Sequence, residues 1–375
     1  MKITPVLLLL AALLTFGCYE DDFVAGDDPI DLADDLDAYL MDEMEDQQLP
    51  ALAALVFNED GVVYERYFGE ADLATGTRLT ADHVFLLASV SKTVTATALL
   101  QLHDTGAFAL DDPINAYLPF EVTHPEYATP ITFRMLLTHS AAIADGPALD
   151  EQYYYGEDSP VALADFMAAY FTPGEQYYSA HQNFHNFRPG TQHEYSNTGS
   201  ALIGVLVEQL SGEGFNAYCK ANIFQPLGMT RTAWRLDETP APLVTPYAYA
   251  GNALIPSDHY TFTDYPNGGL RSTARDMHRF LSAHASRSPL LGLKAVTYEA
   301  TTTPQLPNSA GDVGLHFFLL DVAEDIWGHD GGEIGTTTIV GFGKDTGVGV
   351  LLFTNGEDAE LEDMLLAAYA AGVAR

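Results

Sequence analysis

The two ends of this chain read as strands and its middle reads as helices, and that arrangement limits the fold more than any other feature. Near the amino terminus, residues 51–57 and 62–68 read as strands around Asn58-Glu59-Asp60-Gly61, a hairpin with glycine at the turn. Near the other end, residues 314–321, 336–343 and 348–354 read as three more, with Lys344-Asp345-Thr346-Gly347 as a turn. Between them, residues 91–103, 131–138, 161–171, 198–210, 216–224 and 274–285 carry helical apolar spacing. A helical stripe at 30–45 precedes the first strand, and a closing helix is expected over 360–371. Strands from both termini enclosing a helical block predict an α/β (α+β) fold. In it, one antiparallel sheet of about five strands is built from both chain ends and flanked by the terminal helices. The expected division is 30–80 and 305–375 for the sheet region and 81–304 for the helical region, all in one domain of residues 30–375.

Composition narrows the partners. The 375 residues include 16 Lys and Arg against 52 Asp and Glu, a formal charge of −36. So acidic a chain repels phosphate backbones and anionic headgroups, which excludes nucleic acid as a partner. At 47% hydrophobic and 18% charged residues, it is a core-forming globular sequence rather than a disordered acidic tail.

The first residues predict export. Met1-Lys2 supplies a positive charge, residues 6–16 are an apolar run, and Gly17-Cys18 follows. That is a signal peptide over 1–17, too short to be a spanning helix. Thr15-Phe16-Gly17-Cys18 resembles a bacterial lipobox, with Thr15 where Leu is usual, and makes Cys18 the expected lipidation site. Residues 18–29 then form an acidic tether, and a lipid on Cys18 would be the one contact with a membrane. The expected location is the periplasm or outer membrane, or the medium if Cys18 is unused. The other cysteine, Cys219, has no partner for an internal disulfide and reads as a small buried hydrophobe.

The chemistry begins at Phe85-Leu86-Leu87-Ala88-Ser89-Val90-Ser91-Lys92. With a helix starting near Ser89, Lys92 lies one turn on, on the same face. A serine hydroxyl needs a neighbouring base, and a lysine desolvated among apolar groups loses proton affinity and can serve as one. The helix start adds free N–H groups for a developing oxyanion. Alone this spacing is a weak signal. A second segment, Arg188-Pro189-Gly190-Thr191-Gln192-His193-Glu194-Tyr195-Ser196-Asn197, strengthens it. A tyrosine beside a lysine ammonium is expected to have a lowered pKa and can relay protons, and an asparagine can orient a substrate amide. His139 reads as structural, bonding a loop carbonyl. No pattern calls for a cofactor or a metal. His181 and His185, spaced four apart, have no carboxylate between them as in zinc peptidases.

Ser-x-x-Lys, then Pro-Gly and Tyr-x-Asn, then a glycine-bracketed strand motif, is the order of the serine β-lactamase and penicillin-binding-protein-like superfamily, which this chain resembles. The nearest branch is the class C β-lactamase-related serine hydrolases, which include D-alanyl-D-alanine carboxypeptidases, D-aminopeptidases and esterases. Leu136-Leu137-Thr138-His139-Ser140, Phe224-Gln225-Pro226-Leu227-Gly228-Met229 and Asn267-Gly268-Gly269-Leu270-Arg271-Ser272 match as well. The resemblance implies a β-lactamase/transpeptidase-like fold. It makes Ser89 the acylated nucleophile, Lys92 its proton acceptor, Tyr195 a second acid/base, and Asn197 the residue that orients substrate and Lys92. The third motif falls on His329-Asp330-Gly331, where β-lactamases carry Lys-Thr-Gly, and the implied oxyanion hole is the backbone N–H of Ser89 and Gly332. Two departures stand out: Ala141-Ala142 replaces the usual Ser-Gly, and Asp330 replaces Thr. The implied activity is acyl-enzyme hydrolysis of esters or amides, including D-amino-acid peptides of cell-wall origin. The alternatives are a class C-like β-lactamase and a catalytically idle peptidoglycan-binding envelope protein. The partner is a small molecule or a peptide; the sequence leaves the oligomeric state open.

Overall fold

The computed structural model describes residues 32–251, 253–306, 312–321 and 325–375. The signal peptide and tether read from 1–29, Cys18 included, lie outside the described residues. The main sheet takes β1 (Ala51–Asn58), β2 (Gly61–Asp72) and β3 (Thr77–Arg78) from one side of the sequence. It takes β4 (Phe318–Asp321), β5 (Ile326–Glu333), β6 (Thr336–Gly343) and β7 (Gly349–Thr354) from the other. All pairings are antiparallel, in the order β4-β5-β6-β7-β1-β2-β3. The ends of the chain meet where β1 pairs β7, with Leu55 opposite Leu351.

The sheet therefore has seven strands rather than about five. Two went unread: the two-residue β3, and β5, whose sequence Ile-Trp-Gly-His-Asp-Gly-Gly-Glu lacks the β-branched alternation that marks a strand. Its glycines answer to close packing. A methyl at Gly328 would fall 1.9 Å from the Val340 carbonyl oxygen, so only glycine fits there.

β1 is apolar on both faces because both are covered. Ala53, Leu55 and Phe57 face a large core shared with the helical block, whereas Leu52, Ala54 and Val56 face a smaller core. That smaller core is closed by α1 (Leu32–Asp46) and the carboxyl-terminal helix (Glu362–Val373), giving the flanking terminal helices. On the other face, helix α2 (Ser91–Thr105) packs along α3 (Asn197–Ser211), the pair at the centre of the helical block. Both begin at the same end of the molecule, next to β5. This shared start brings distant sequence segments to one point.

Candidate active site

The site is built where α2, α3 and β5 meet. Ser89 sits in a 3₁₀ turn (Ala88–Val90) that runs straight into α2, so Lys92 follows one turn later. Ala88, immediately before the serine, has φ +47°, a conformation unfavourable for a residue with a Cβ. Lys92 is fully buried. Its Nζ lies 3.0 Å from Ser89 Oγ and donates to Asn197 Oδ1 at 2.7 Å and to the Asn267 carbonyl at 2.6 Å. Burial pushes the Lys92 pKa down to about 7, against the opposing pull of Asp145, Asp264, Glu333 and Asp330. A neutral amine has two hydrogens and one lone pair. Two acceptor oxygens take the hydrogens, which leaves the lone pair for the Ser89 hydroxyl.

Asn197 is the first residue of α3, and Ser196 caps that helix through Oγ to the Gly199 N–H. Asp145 fixes the whole start. It accepts from Asn197 N at 2.9 Å and Asn197 Nδ2 at 3.0 Å, and from Thr198 N and Oγ1, both at 2.9 Å. A carboxylate is well placed at a helix amino terminus. Because Nδ2 is tied to Asp145, the amide must present Oδ1 to Lys92.

Tyr195 lies against the same centre, its ring 4.8 Å from Lys92 Nζ. Its hydroxyl is buried beside Ser89 and, among the described residues, completes no hydrogen bond. Burial pushes its pKa up, with Ser89 nearby opposing and Asp330 and Asp145 adding to the rise. The lowered pKa expected beside a lysine is thus reversed: desolvation outweighs a neighbour that is itself driven toward neutrality. His139 stacks on Tyr195 at 4.5 Å and on His316 at 4.5 Å. Its Nδ1 accepts the Ser196 N–H at 3.0 Å, so it holds the Tyr-Ser-Asn segment rather than a loop carbonyl. Ala142, standing where glycine is usual, takes φ +57°, so the loop keeps a glycine-like backbone despite the replacement.

β5 completes the site. β4 pairs with it across Ile326–Gly328, and from His329 onward that edge of β5 has no strand partner among the described residues. A methyl at Gly331 would fall 2.7 Å from the Leu87 carbonyl oxygen and 2.9 Å from Ser89 N, which shows how closely the strand passes the serine backbone. Gly332, next along, is exposed with open space around it. His329 is buried, and Asp330 is 68% exposed with a carboxylate oxygen 3.6 Å from His329 Nδ1. His329 chiefly holds the Asp330 carboxyl below the usual range. Asp330 nonetheless acts electrostatically on both Lys92 and Tyr195, so it is part of the cleft.

All eight residues read from the motifs, namely Ser89, Lys92, Tyr195, Asn197, His329, Asp330, Gly331 and Gly332, come together here. Four contributors went unread as such. Asp145, Asp264 and Glu333 belong to no spaced motif, and Asn267 acts through its main-chain carbonyl, which no side-chain pattern reveals.

A serine held against a buried, hydrogen-bond-saturated lysine beside a strand edge defines a class of acyl-transfer proteins, and the chain belongs to the beta-lactamase family, whose model matches residues 36–375. Among curated relatives it is 28% identical over 329 residues to penicillin-binding protein 4 of Amycolatopsis lactamdurans, covering 83% of this chain and 82% of that one. It is 29% identical to esterase EstB of Burkholderia gladioli over 59% of this chain and 56% of that one. Several relatives are spanned over only about half of their length. Among solved structures, the octameric penicillin-binding protein homologue from Pyrococcus abyssi superposes with TM-score 0.73 at 22% identity, covering 91% of this chain and 77% of that one. That likeness establishes the shared fold.

Proposed function

We propose that the protein is an exported serine hydrolase that works through an acyl-enzyme on Ser89. The observation that carries this reading is the buried Lys92 Nζ, 3.0 Å from Ser89 Oγ and held by two acceptor oxygens, so that its neutral form keeps a lone pair for the serine hydroxyl. Lys92 takes the serine proton as Oγ attacks the acyl carbon. The N–H groups of Ser89 and Gly332 receive the oxyanion. Tyr195, neutral because buried, passes a proton to the leaving group and then helps water to attack. No step asks for a metal or a cofactor.

The acyl donors that suit this cleft are esters and amides, D-amino-acid peptides of cell-wall origin among them. Names among the relatives include both an esterase and a penicillin-binding protein. Asp330, exposed in the cleft, disfavours substrates whose carboxylate would approach the third motif. At about 4 Å that repulsion is on the order of 1 to 4 kcal/mol for effective dielectrics of 80 to 20. Carboxylate-free donors are therefore turned over better than penicillins. Export rests on the Met1-Lys2 to Cys18 segment; among the described residues no helix is long and apolar enough to cross a membrane.

The test is intact-mass detection of adducts after exposure to a fluorophosphonate, an aryl ester and penicillin. Ser89→Ala should abolish every adduct while the thermal transition stays in place, since a half-exposed hydroxyl contributes little packing. An adduct that persists on Ser91 or elsewhere would refute the assignment.

A further inference from the structure

Beside the catalytic centre lies a cavity of about 200 Å³. It opens onto the side of Asn197 and Asn267, the two residues whose oxygens hold Lys92. Four carboxylates line it: Asp145, Asp150, Asp264 and Glu333. Among the described residues, the ion pairs to lysine or arginine within 4 Å all lie elsewhere. Among the described residues the cation close by is Lys92, which burial drives toward neutrality; burial also pushes Asp264 up to about 7, which leaves Asp145, Asp150 and Glu333 to give the cavity its negative charge.

This is more than the acidity of the whole surface gathered by chance. Asp264 is only 4% exposed yet faces the cavity. Asn267 Nδ2 holds one of its oxygens at 2.6 Å, and no described side chain holds the other. Glu333 is half-buried and clamped, accepting from Tyr153 Oη at 2.9 Å and Tyr260 Oη at 3.2 Å. It stands two residues beyond Gly331 on β5, so it shares that glycine's face of the strand. The rest of the wall is Gly146, Pro147 and Leu149 together with Tyr153 and Phe262, whose rings pack at a centroid distance of 5.6 Å. Aromatic rings beside carboxylates, one of them buried and one half-buried, are surroundings that suit a substituted ammonium group.

We infer that this cavity receives a positively charged amino group of the acyl donor, so that amino-bearing amides and esters are preferred over neutral and anionic ones. The inference rests on Ser89 being the acylated residue, and it adds the charge class of the substrate.

The probes are four p-nitroanilides: D-norleucine, with an α-ammonium; Nα-acetyl-D-lysine, with an ε-ammonium; neutral Nα-acetyl-D-norleucine; and anionic Nα-succinyl-D-norleucine. They are assayed in about 0.5 M salt, which screens long-range attraction to an acidic protein. At least one cationic donor should exceed the neutral one about tenfold in kcat/KM, with the anionic donor lowest, and which cation wins locates the amino group. Glu333→Gln, which keeps the side-chain shape and can still accept from one of its two tyrosines, should cut that advantage about three- to tenfold, read as the ratio of cationic to neutral kcat/KM because Glu333 also acts on Lys92. Asp150→Asn, at an exposed residue, serves as a second variant should Glu333→Gln fold poorly, with the same sign. A flat charge series, or a cation preference that both variants leave intact, overturns the inference. Ser89-dependent turnover of p-nitrophenyl butyrate separates the two readings: present with a flat series, it sinks the charged subsite alone, and absent, it sinks the acyl-enzyme reading with it.

Discussion

At the scale of single residues, burial decides more than adjacency. Lys92 and Tyr195 touch, and a charged lysine would lower a tyrosine pKa; in this pocket both are desolvated, and both shift toward their neutral forms. A base with a substantial neutral fraction at pH 7 and an acid that stays protonated are what acyl transfer needs there. Asp330 offers a handle on this balance because it is exposed and raises the Lys92 pKa through space. Asp330→Asn is expected to move the acid limb of the kcat/KM profile on a neutral aryl ester, near pH 7 in the parent, down by a few tenths of a unit. The same variant should narrow the preference for that ester over a penicillin. An unmoved limb together with an unchanged preference would take Asp330 out of the cleft's electrostatics. The motif residues were legible because their chemistry lies in side chains at fixed spacing. Asp145 was not, since its five acceptor contacts are made to a helix start 51 to 53 residues away.

At the scale of elements, the helices and four of the five expected strands fell close to their predicted places, and the reason is ordinary periodicity. The span 274–285 was read from its apolar stripe and is observed as Ala274–Ala285. The expected strand at 314–321 begins only at Phe318. The element most tied to function, β5, hid its strand character because it is shaped by neighbours rather than by propensity. Gly331 is the sharpest case. Its methyl would meet Leu87 O at 2.7 Å, Thr338 Oγ1 at 2.8 Å and Ser89 N at 2.9 Å, so the strand and the serine turn must part to admit it. Gly331→Ala should therefore cost about 1–3 kcal/mol of stability and lower kcat on any donor. Gly332→Ala has open space and should melt with the parent. Equal melting temperatures for the two variants would mean that β5 does not press on the serine turn.

At the scale of the whole molecule, the sheet joined from both chain ends and the paired helices hold one lysine where water cannot reach it, and that arrangement costs stability. The Lys92 pKa falls from 10.5 to about 7, and at about 1.36 kcal/mol per unit the folded state gives up on the order of 5 kcal/mol below pH 7. The sign follows from proton counting. Between about pH 7 and 10.5 the unfolded chain keeps the Lys92 proton and the folded chain has lost it, so the unfolded state binds more protons and stability rises with pH. Lys92→Met removes this dependence, and leaves Asn197 Oδ1 and the Asn267 carbonyl without their donor, a loss of about 1–3 kcal/mol for each. The two effects nearly offset, so the variant is expected to be inactive yet within a few kcal/mol of the parent's stability at pH 7, by denaturant unfolding. Relative to the parent it should lose about 2 kcal/mol as pH rises from 7 to 9, because only the parent gains stability from Lys92 over that interval. A difference between the two proteins that stays constant across that range would mean that Lys92 remains protonated in the folded state, and a protonated Lys92 cannot take the proton from Ser89.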